Sequence, residues 1–262
     1  MPRPHAAAAA PAPLISNEQL RWLYVTLLRT RLLRERNRLK TTPTGLVARE
    51  AIVTGTVAHL RNGDTVMPVA GDQLAALARG HSLRRVLSSA ALPGVLASAS
   101  AAEARFALAA GYALSRRGTE EITLAFSGPG ITSLHVLGPA LAYAAQLKLG
   151  IVFVIETAAD ADVSSARHTA PLGLYGIPVD GNDVIALYRV AQESIQRARR
   201  GVGPTLIDCK PWPLASKRDG SADPVRRLED ALERRGLPTK KLKERTITAF
   251  RRELDMAAQK RR

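Results

Sequence analysis

The sequence predicts a three-layer α/β/α domain with a mostly parallel sheet and helices on both faces. Three observations carry the prediction. Ile122-Thr-Leu-Ala-Phe126 is a short apolar run ending abruptly at Gly128-Pro129-Gly130. Leu134 to Leu149 is rich in Ala and Leu and reads as a helix. Ile151-Val-Phe-Val-Ile155 is a second apolar, β-branched run. Strand, glycine turn, helix and strand form a βαβ unit, whose strands run parallel through a right-handed crossover. Ligands of such sheets gather at the carboxyl ends of the strands. The Gly-Pro-Gly turn and the residues after Ile155 lie on that edge.

The remaining elements follow along the chain. Residues 1–14 are Ala- and Pro-rich and of low complexity, and are expected to form a disordered tail. Ser16 is placed to cap a helix, with Gln19 three residues on as its capping-box partner. Strands are expected near 64–68, 122–126, 151–155 and 205–210. In Asp180-Gly-Asn-Asp183, Asp183 is placed to cap a helix starting at Val184, and Gly181 to supply a positive φ. Gly128 and Gly130 make a tight strand-to-helix turn. The domain is expected over 15–236, followed by a basic helical tail over 237–262.

Composition narrows the function classes. A chain of 262 residues with 46% hydrophobic and 4% aromatic residues can bury a core packed largely by Ala, Leu and Val. The single Cys209 sits on an expected buried strand and reads as a core residue, which leaves no disulfide framework. The His residues show no metal-ligand spacing, His168 alone falls at the expected ligand edge, and no Gly-x-Ser-x-Gly turn supports a hydrolase. No apolar run is long enough to span a membrane, and a cytoplasmic location is expected. The net charge is +15, and residues 226–262 hold 13 Lys/Arg against 6 Asp/Glu. Arg34, Arg36, Arg38 and Lys40 form a second basic cluster. Solvated helix faces account for this charge. A basic module binding nucleic acid or an acidic partner is the alternative, although few aromatics accompany the basic runs and nucleic acid is not expected.

Beyond these patterns, Phe126 to Ser133, Ala140 to Lys148 and Ile151 to Glu156 together resemble the cofactor segment of a known family. It is the alpha subunit of the thiamine-diphosphate-dependent first component of 2-oxo acid dehydrogenase complexes, of the pyruvate and branched-chain types. Arg49-Glu-Ala-Ile-Val-Thr-Gly55 resembles that family's Gly-Gln-Glu-Ala segment, and Leu60 to Pro68 its Leu-Arg-Pro-Gly-Asp turn into a strand. Tyr175-Gly-Ile-Pro178 and Val179-Asp-Gly-Asn-Asp-Val184 are the most literal matches, and Ala198 to Asp208, containing Gly203 to Ile207, is nearly as close. The resemblance implies a thiamine-diphosphate-binding, transketolase-like fold, and a beta-type subunit or a second copy as partner.

It also implies a site, which this chain departs from. The family carries Gly-Asp-Gly after the first strand of the unit and Asn-Asn after the second, and the Asp and second Asn hold a magnesium ion on the diphosphate. Here the vestigial cofactor-binding positions are Gly128, Pro129, Gly130, Thr157 and Ala158. The family's diphosphate-holding Tyr-Arg and nearby His fall at Ala70, Gly71 and Gln73, and its later His loop reads Pro211 to Asp219 without a His. A glycine-rich insertion of the family is replaced by the shorter Ala/Ser stretch Ser88 to Ala101. The expectation is a degenerate homologue with no catalytic residue and no metal ligand, keeping neither magnesium nor thiamine diphosphate, inactive alone and serving as a structural or regulatory subunit. The alternative is an active oxidoreductase that decarboxylates a 2-oxo acid with a rearranged ligand set, for which Thr157, Asp160 and Asp162 are the candidates.

Overall fold

The structure, a computed structural model, describes residues 15–36, 49–88, 90–130, 134–157, 168–210 and 223–259. The expected tail, Arg38, Lys40, Ala158, Asp160, Asp162 and the 211–219 loop lie outside these residues.

Five parallel strands form one sheet in the order β1-β2-β3-β5-β4. They are β1 (Thr65–Met67), β2 (Thr123–Phe126), β3 (Ile151–Glu156), β4 (Tyr175–Asp180) and β5 (Thr205–Lys210). Thr123 pairs with Ile151, Val152 with Thr205 and Tyr175 with Thr205, so β2, β3, β5 and β4 start nearly level and their carboxyl ends form one edge. β3 is buried at every position, as a central parallel strand covered on both faces must be.

Alternation along β3 divides the core in two. Ile151, Phe153 and Ile155 face the layer of α5 (Ala102–Ser115) and α6 (Gly138–Gln146), where Phe153 meets Phe106 with ring centroids 4.7 Å apart. Val152 and Val154 face the opposite layer, which includes α1 (Asn17–Arg36), α2 (Arg49–Val57) and α7 (Val184–Arg199). The short helices α3 (Leu74–Ala78) and α4 (Leu83–Val86) follow β1, while α8 (Pro224–Glu233) and α9 (Lys240–Gln259) close the chain. The three-layer α/β/α class read from the sequence is what the chain adopts. On the basic C-terminal segment, α9 buries Phe250 and ties Glu253 to Arg29 of α1 by a bidentate pair at 2.8 and 3.0 Å.

Local signals were realised where short-range chemistry decides. The Ser16 hydroxyl accepts from the Gln19 N–H at 3.1 Å, and the Gln19 side chain accepts from the Ser16 N–H at 2.9 Å. Asp183 caps α7 by accepting from the N–H groups of Ile185 and Ala186. Three expectations need correcting. Tyr175 to Asp180 is a strand that was not among those expected from the sequence. Its Pro178 is tolerated because β4 is an edge strand, where one row of backbone N–H groups has no ladder partner. Gly181 is absent from the positive-φ positions, so the turn is held by Asp180 accepting from the Asn182 N–H and not by a left-handed glycine. The stretch replacing the glycine-rich insertion is more than a linker. Val66 of β1 donates to the Gly94 carbonyl and accepts from the Leu96 N–H, so residues 94–96 cover the β1 edge.

Candidate functional site

The chain steps from β1 through β2 to β3, passes outward to β4 and returns to β5. The reversal falls between β3 and β5, and the carboxyl edge around it is where this class of sheet forms its crevice. Thr157 and Asp208 bridge that reversal: both are fully buried, and the Thr157 hydroxyl donates to the Asp208 carboxylate. The second Asp208 oxygen lies 3.7 Å from the Lys210 ammonium.

Beside it, at the end of β2, Gly128 and Gly130 both take positive φ, +86° and +82°, as a tight turn around Pro129 requires. Pro129 and Gly130 are exposed, and Gly128 is buried. The Gly128 backbone is closely packed, because a Cβ built there would lie 3.3 Å from the Arg105 guanidinium and from Val69. Arg105 comes from the first turns of α5 and is 2% exposed. It donates to the carbonyls of Phe126, Ser127, Ala99 and Ser100, so one guanidinium joins the Gly-Pro-Gly turn to the segment preceding α5. Burial, with the nearby Arg49 charge, pulls its pKa down from the usual arginine value.

A second guanidinium dominates the same edge. Arg49, the first residue of α2, donates one Nη to the Glu156 carboxylate and the other to Asp72. Glu156 closes β3 and is 3% exposed. Asp72 follows β1 and also accepts from the Leu74 N–H at 2.8 Å, which starts α3. Burial lifts the Glu156 carboxyl above the usual carboxylate range, and Arg49 pulls it back. For Arg49, burial acts to lower the pKa, but the Glu156 and Asp72 charges outweigh it, and the guanidinium stays charged. Ser127 completes the cluster: its hydroxyl accepts from the Glu156 N–H at 3.1 Å and donates to the Gly128 carbonyl.

The other sequence-derived positions do not join this cluster. Ala70 and Gly71 are exposed, and nothing lies within 4 Å of where a Gly71 Cβ would be. Gln73 turns away and donates to the Val86 carbonyl at 2.9 Å. His168 is exposed. Glu50 is fully buried between Arg31 and Arg34 of α1. Cys209 is buried, and burial raises its thiol pKa well above the ordinary value, so it is an inert core residue. Two surface cavities lie elsewhere, one of about 380 Å³ lined by Asp183, Arg227 and Arg234 and one of about 530 Å³ between α4 and α9.

Arg49, Asp72, Arg105 and Glu156 were not singled out as site residues from the sequence. Two signals pointed to them: an Arg at the Gln position of the Gly-Gln-Glu-Ala-like segment, and a carboxylate closing an otherwise apolar strand. As a magnesium site the described residues fit poorly. Pro129 has no side-chain oxygen, and of the carboxylates at this edge Glu156 and Asp72 are held by Arg49, while Asp208 accepts from the Thr157 hydroxyl and lies 3.7 Å from the Lys210 ammonium. Among the described residues no three His, Cys, Asp or Glu come together as a metal site.

Comparison with known proteins agrees with the motif order. The family described as "Dehydrogenase E1 component" matches residues 94–212. The alpha subunit of acetoin:2,6-dichlorophenolindophenol oxidoreductase of Bacillus subtilis is 28% identical over 70% of this chain and 65% of its own length. The chloroplastic pyruvate dehydrogenase E1 component subunit alpha-3 of Arabidopsis thaliana is 29% identical over 71% of this chain and 51% of its own. The 3-methyl-2-oxobutanoate dehydrogenase subunit alpha of Mycobacterium tuberculosis is 32% identical over 55% of this chain and 46% of its own. The chain thus spans about half to two thirds of these relatives. A solved thiamin diphosphate-dependent enzyme from Mycobacterium smegmatis superposes with a TM-score of 0.47 at 18% identity, over 65% of this chain and 32% of its own, too loosely to discriminate among α/β folds. By its sequence, then, the chain is a homologue of the alpha subunits of 2-oxo acid dehydrogenase E1 components.

Proposed function

We propose that this chain is a degenerate E1-alpha-type subunit: it keeps the fold, binds neither magnesium nor thiamine diphosphate, and serves a structural or regulatory role beside a beta-type subunit or a second copy of itself. The observation carrying this reading is the edge at Gly128-Pro129-Gly130. The position that supplies a carboxylate in the resembled motif is a proline, and of the buried carboxylates at this edge Glu156 and Asp72 are taken by Arg49 and Asp208 accepts from Thr157. No catalytic step is assigned to these residues, because none presents a free acid, base or nucleophile toward an open cleft.

Support for a docked partner comes from the opposite layer. Leu108 on α5, Val136 just before α6 and Tyr143 on α6 are exposed, at 53%, 56% and 44%. Neither helix presents an exposed Lys or Arg, although the chain carries a net charge of +15. A face whose helices carry no exposed Lys or Arg, on a strongly basic chain, is where another protein can dock without like-charge repulsion.

The test is calorimetric titration of the purified chain with thiamine diphosphate and magnesium, alone and with a beta-type subunit. Absence of binding heat in both is the expected result. Saturable binding that vanishes on chelating magnesium would replace this reading with the active-subunit one, and would send mutagenesis to Asp160 and Asp162.

A further inference from the structure

Arg49 occupies a particular place in the sheet. Its two carboxylate partners follow β1 and end β3, the strands on either side of β2, so the guanidinium reaches across the carboxyl end of the strand that runs into the Gly-Pro-Gly turn. Asp72 and Glu156 are nearly inaccessible, with side-chain exposures of 6% and 4%. Two carboxylates so placed need a cation, since an uncompensated buried charge costs several times what an exposed one does. We propose that Arg49 is a built-in counter-cation, supplying from the chain itself the positive charge that holds the Asp72 and Glu156 carboxylates together at this edge. The inference rests on the degenerate-subunit reading and adds a residue and a physical role to it.

The geometry distinguishes this role from an incidental ion pair. Arg49 bonds both carboxylates at once through different nitrogens of one planar group, a fork that a lysine ammonium cannot reproduce. Asp72 spends its other oxygen on the α3 N–H, so its position is fixed independently of Arg49. Glu156 is fixed by its strand pairing and by the Ser127 hydroxyl on its N–H. With the Asp72 carboxylate held by the Leu74 N–H and the Glu156 backbone held in the sheet, removing the guanidinium leaves two neighbouring carboxylates without their cation, an arrangement that a hard divalent ion can fill.

The experiment is thermal melting of the full chain and of Arg49→Gln, each in EDTA and in excess Mn²⁺. Wild type is expected to melt at the same temperature in both buffers. Arg49→Gln is expected to melt lower in EDTA by on the order of 10 °C. Mn²⁺ should restore most of that loss, and so should adding Asp72→Asn and Glu156→Gln. The Asn retains an oxygen for the Leu74 N–H, so the neutral triple variant keeps the α3 start. An Arg49→Gln variant as stable as wild type in EDTA would overturn the proposal, as would a loss that neither Mn²⁺ nor the neutral triple variant recovers. If Arg49→Gln alone does not fold, the triple variant decides: folded supports the counter-cation role, unfolded removes it. These melts in EDTA are independent of cofactor affinity. Wild-type binding of magnesium thiamine diphosphate would therefore overturn the degenerate-subunit reading by a separate measurement.

Discussion

Glu50 offers a sharp test of how the helical layer behind the sheet is held. Its side chain is fully buried, with one oxygen accepting from Arg31 Nε at 3.0 Å and the other 3.2 Å from Arg34 Nε. The Arg34 contact is Coulombic only, because its Nε and that carboxylate oxygen make no hydrogen bond to any described group. Arg31 continues to Asp223 at the cap of α8, so one carboxylate links α1, α2 and α8. Removing one partner of a buried pair costs about 3–5 kcal/mol. Arg31 keeps Asp223, and both arginines are about one fifth exposed (18% and 24%) and can turn toward water, which discounts the cost to roughly 2–3 kcal/mol. For a chain of this size that is about 4–12 °C in Tm. Glu50→Gln is expected to lower the melting midpoint by that amount and to lower the urea midpoint with an unchanged slope. A Glu50→Gln melt within about a degree of wild type would refute the view that this carboxylate is needed for helix docking.

Other predictions follow from single contacts. Phe153→Ala empties a fully buried position against Phe106 and should cost about 3–5 kcal/mol in a urea titration. Gly128→Ala, at φ +86° with its Cβ pressed on Arg105 and Val69, should destabilise more than Gly130→Ala, at φ +82° with open space around it; the second should cost about 1–2 kcal/mol from backbone strain alone. Burial lowers the His59 pKa below its usual value, while its bond to the Tyr188 carbonyl opposes the shift. The unfolded chain therefore takes the proton first, and stability held above about pH 6.5 should fall as the pH drops through that value. His59→Gln should flatten that part of a Tm-against-pH curve. At lower pH, Asp223, whose pKa is held down by Arg31 and by the α8 N–H groups against the effect of burial, adds a loss of the same sign below about pH 4.

What the sequence disclosed divides along the range of the interactions. The Ser16–Gln19 box and the Asp183 cap span three residues, and composition alone places them. The strands at 123–126, 151–156 and 205–210 were legible because a central parallel strand must be apolar on both faces. Strand β4 was illegible for the complementary reason: as an edge strand it holds Gly176, Pro178 and the exposed Tyr175, a composition that also suits a loop. The Arg49 cluster left only separate local hints, an Arg in the Gly-Gln-Glu-Ala-like segment and a carboxylate closing an apolar strand, because Arg49 and Glu156 stand 107 residues apart and meet only after the sheet assembles.

That division bears on how turn residues can change while the fold is kept. The two core clusters that bracket the sheet contain Phe126, Val154, Ile155 and Ile207, but not Pro129, which is exposed. Turn residues at a strand's carboxyl end contribute little to burial, so changing them alters chemistry at small cost to folding. Glu156 is the exception, because it ends a strand whose every residue is buried and it cannot reach solvent. A carboxylate in that position has to be neutralised by something, whether or not a ligand is bound. An arginine on the helix facing it meets the requirement from within the chain, so the identity of residue 49 is tied to the buried carboxylate at 156 by folding and not by chemistry at the turn.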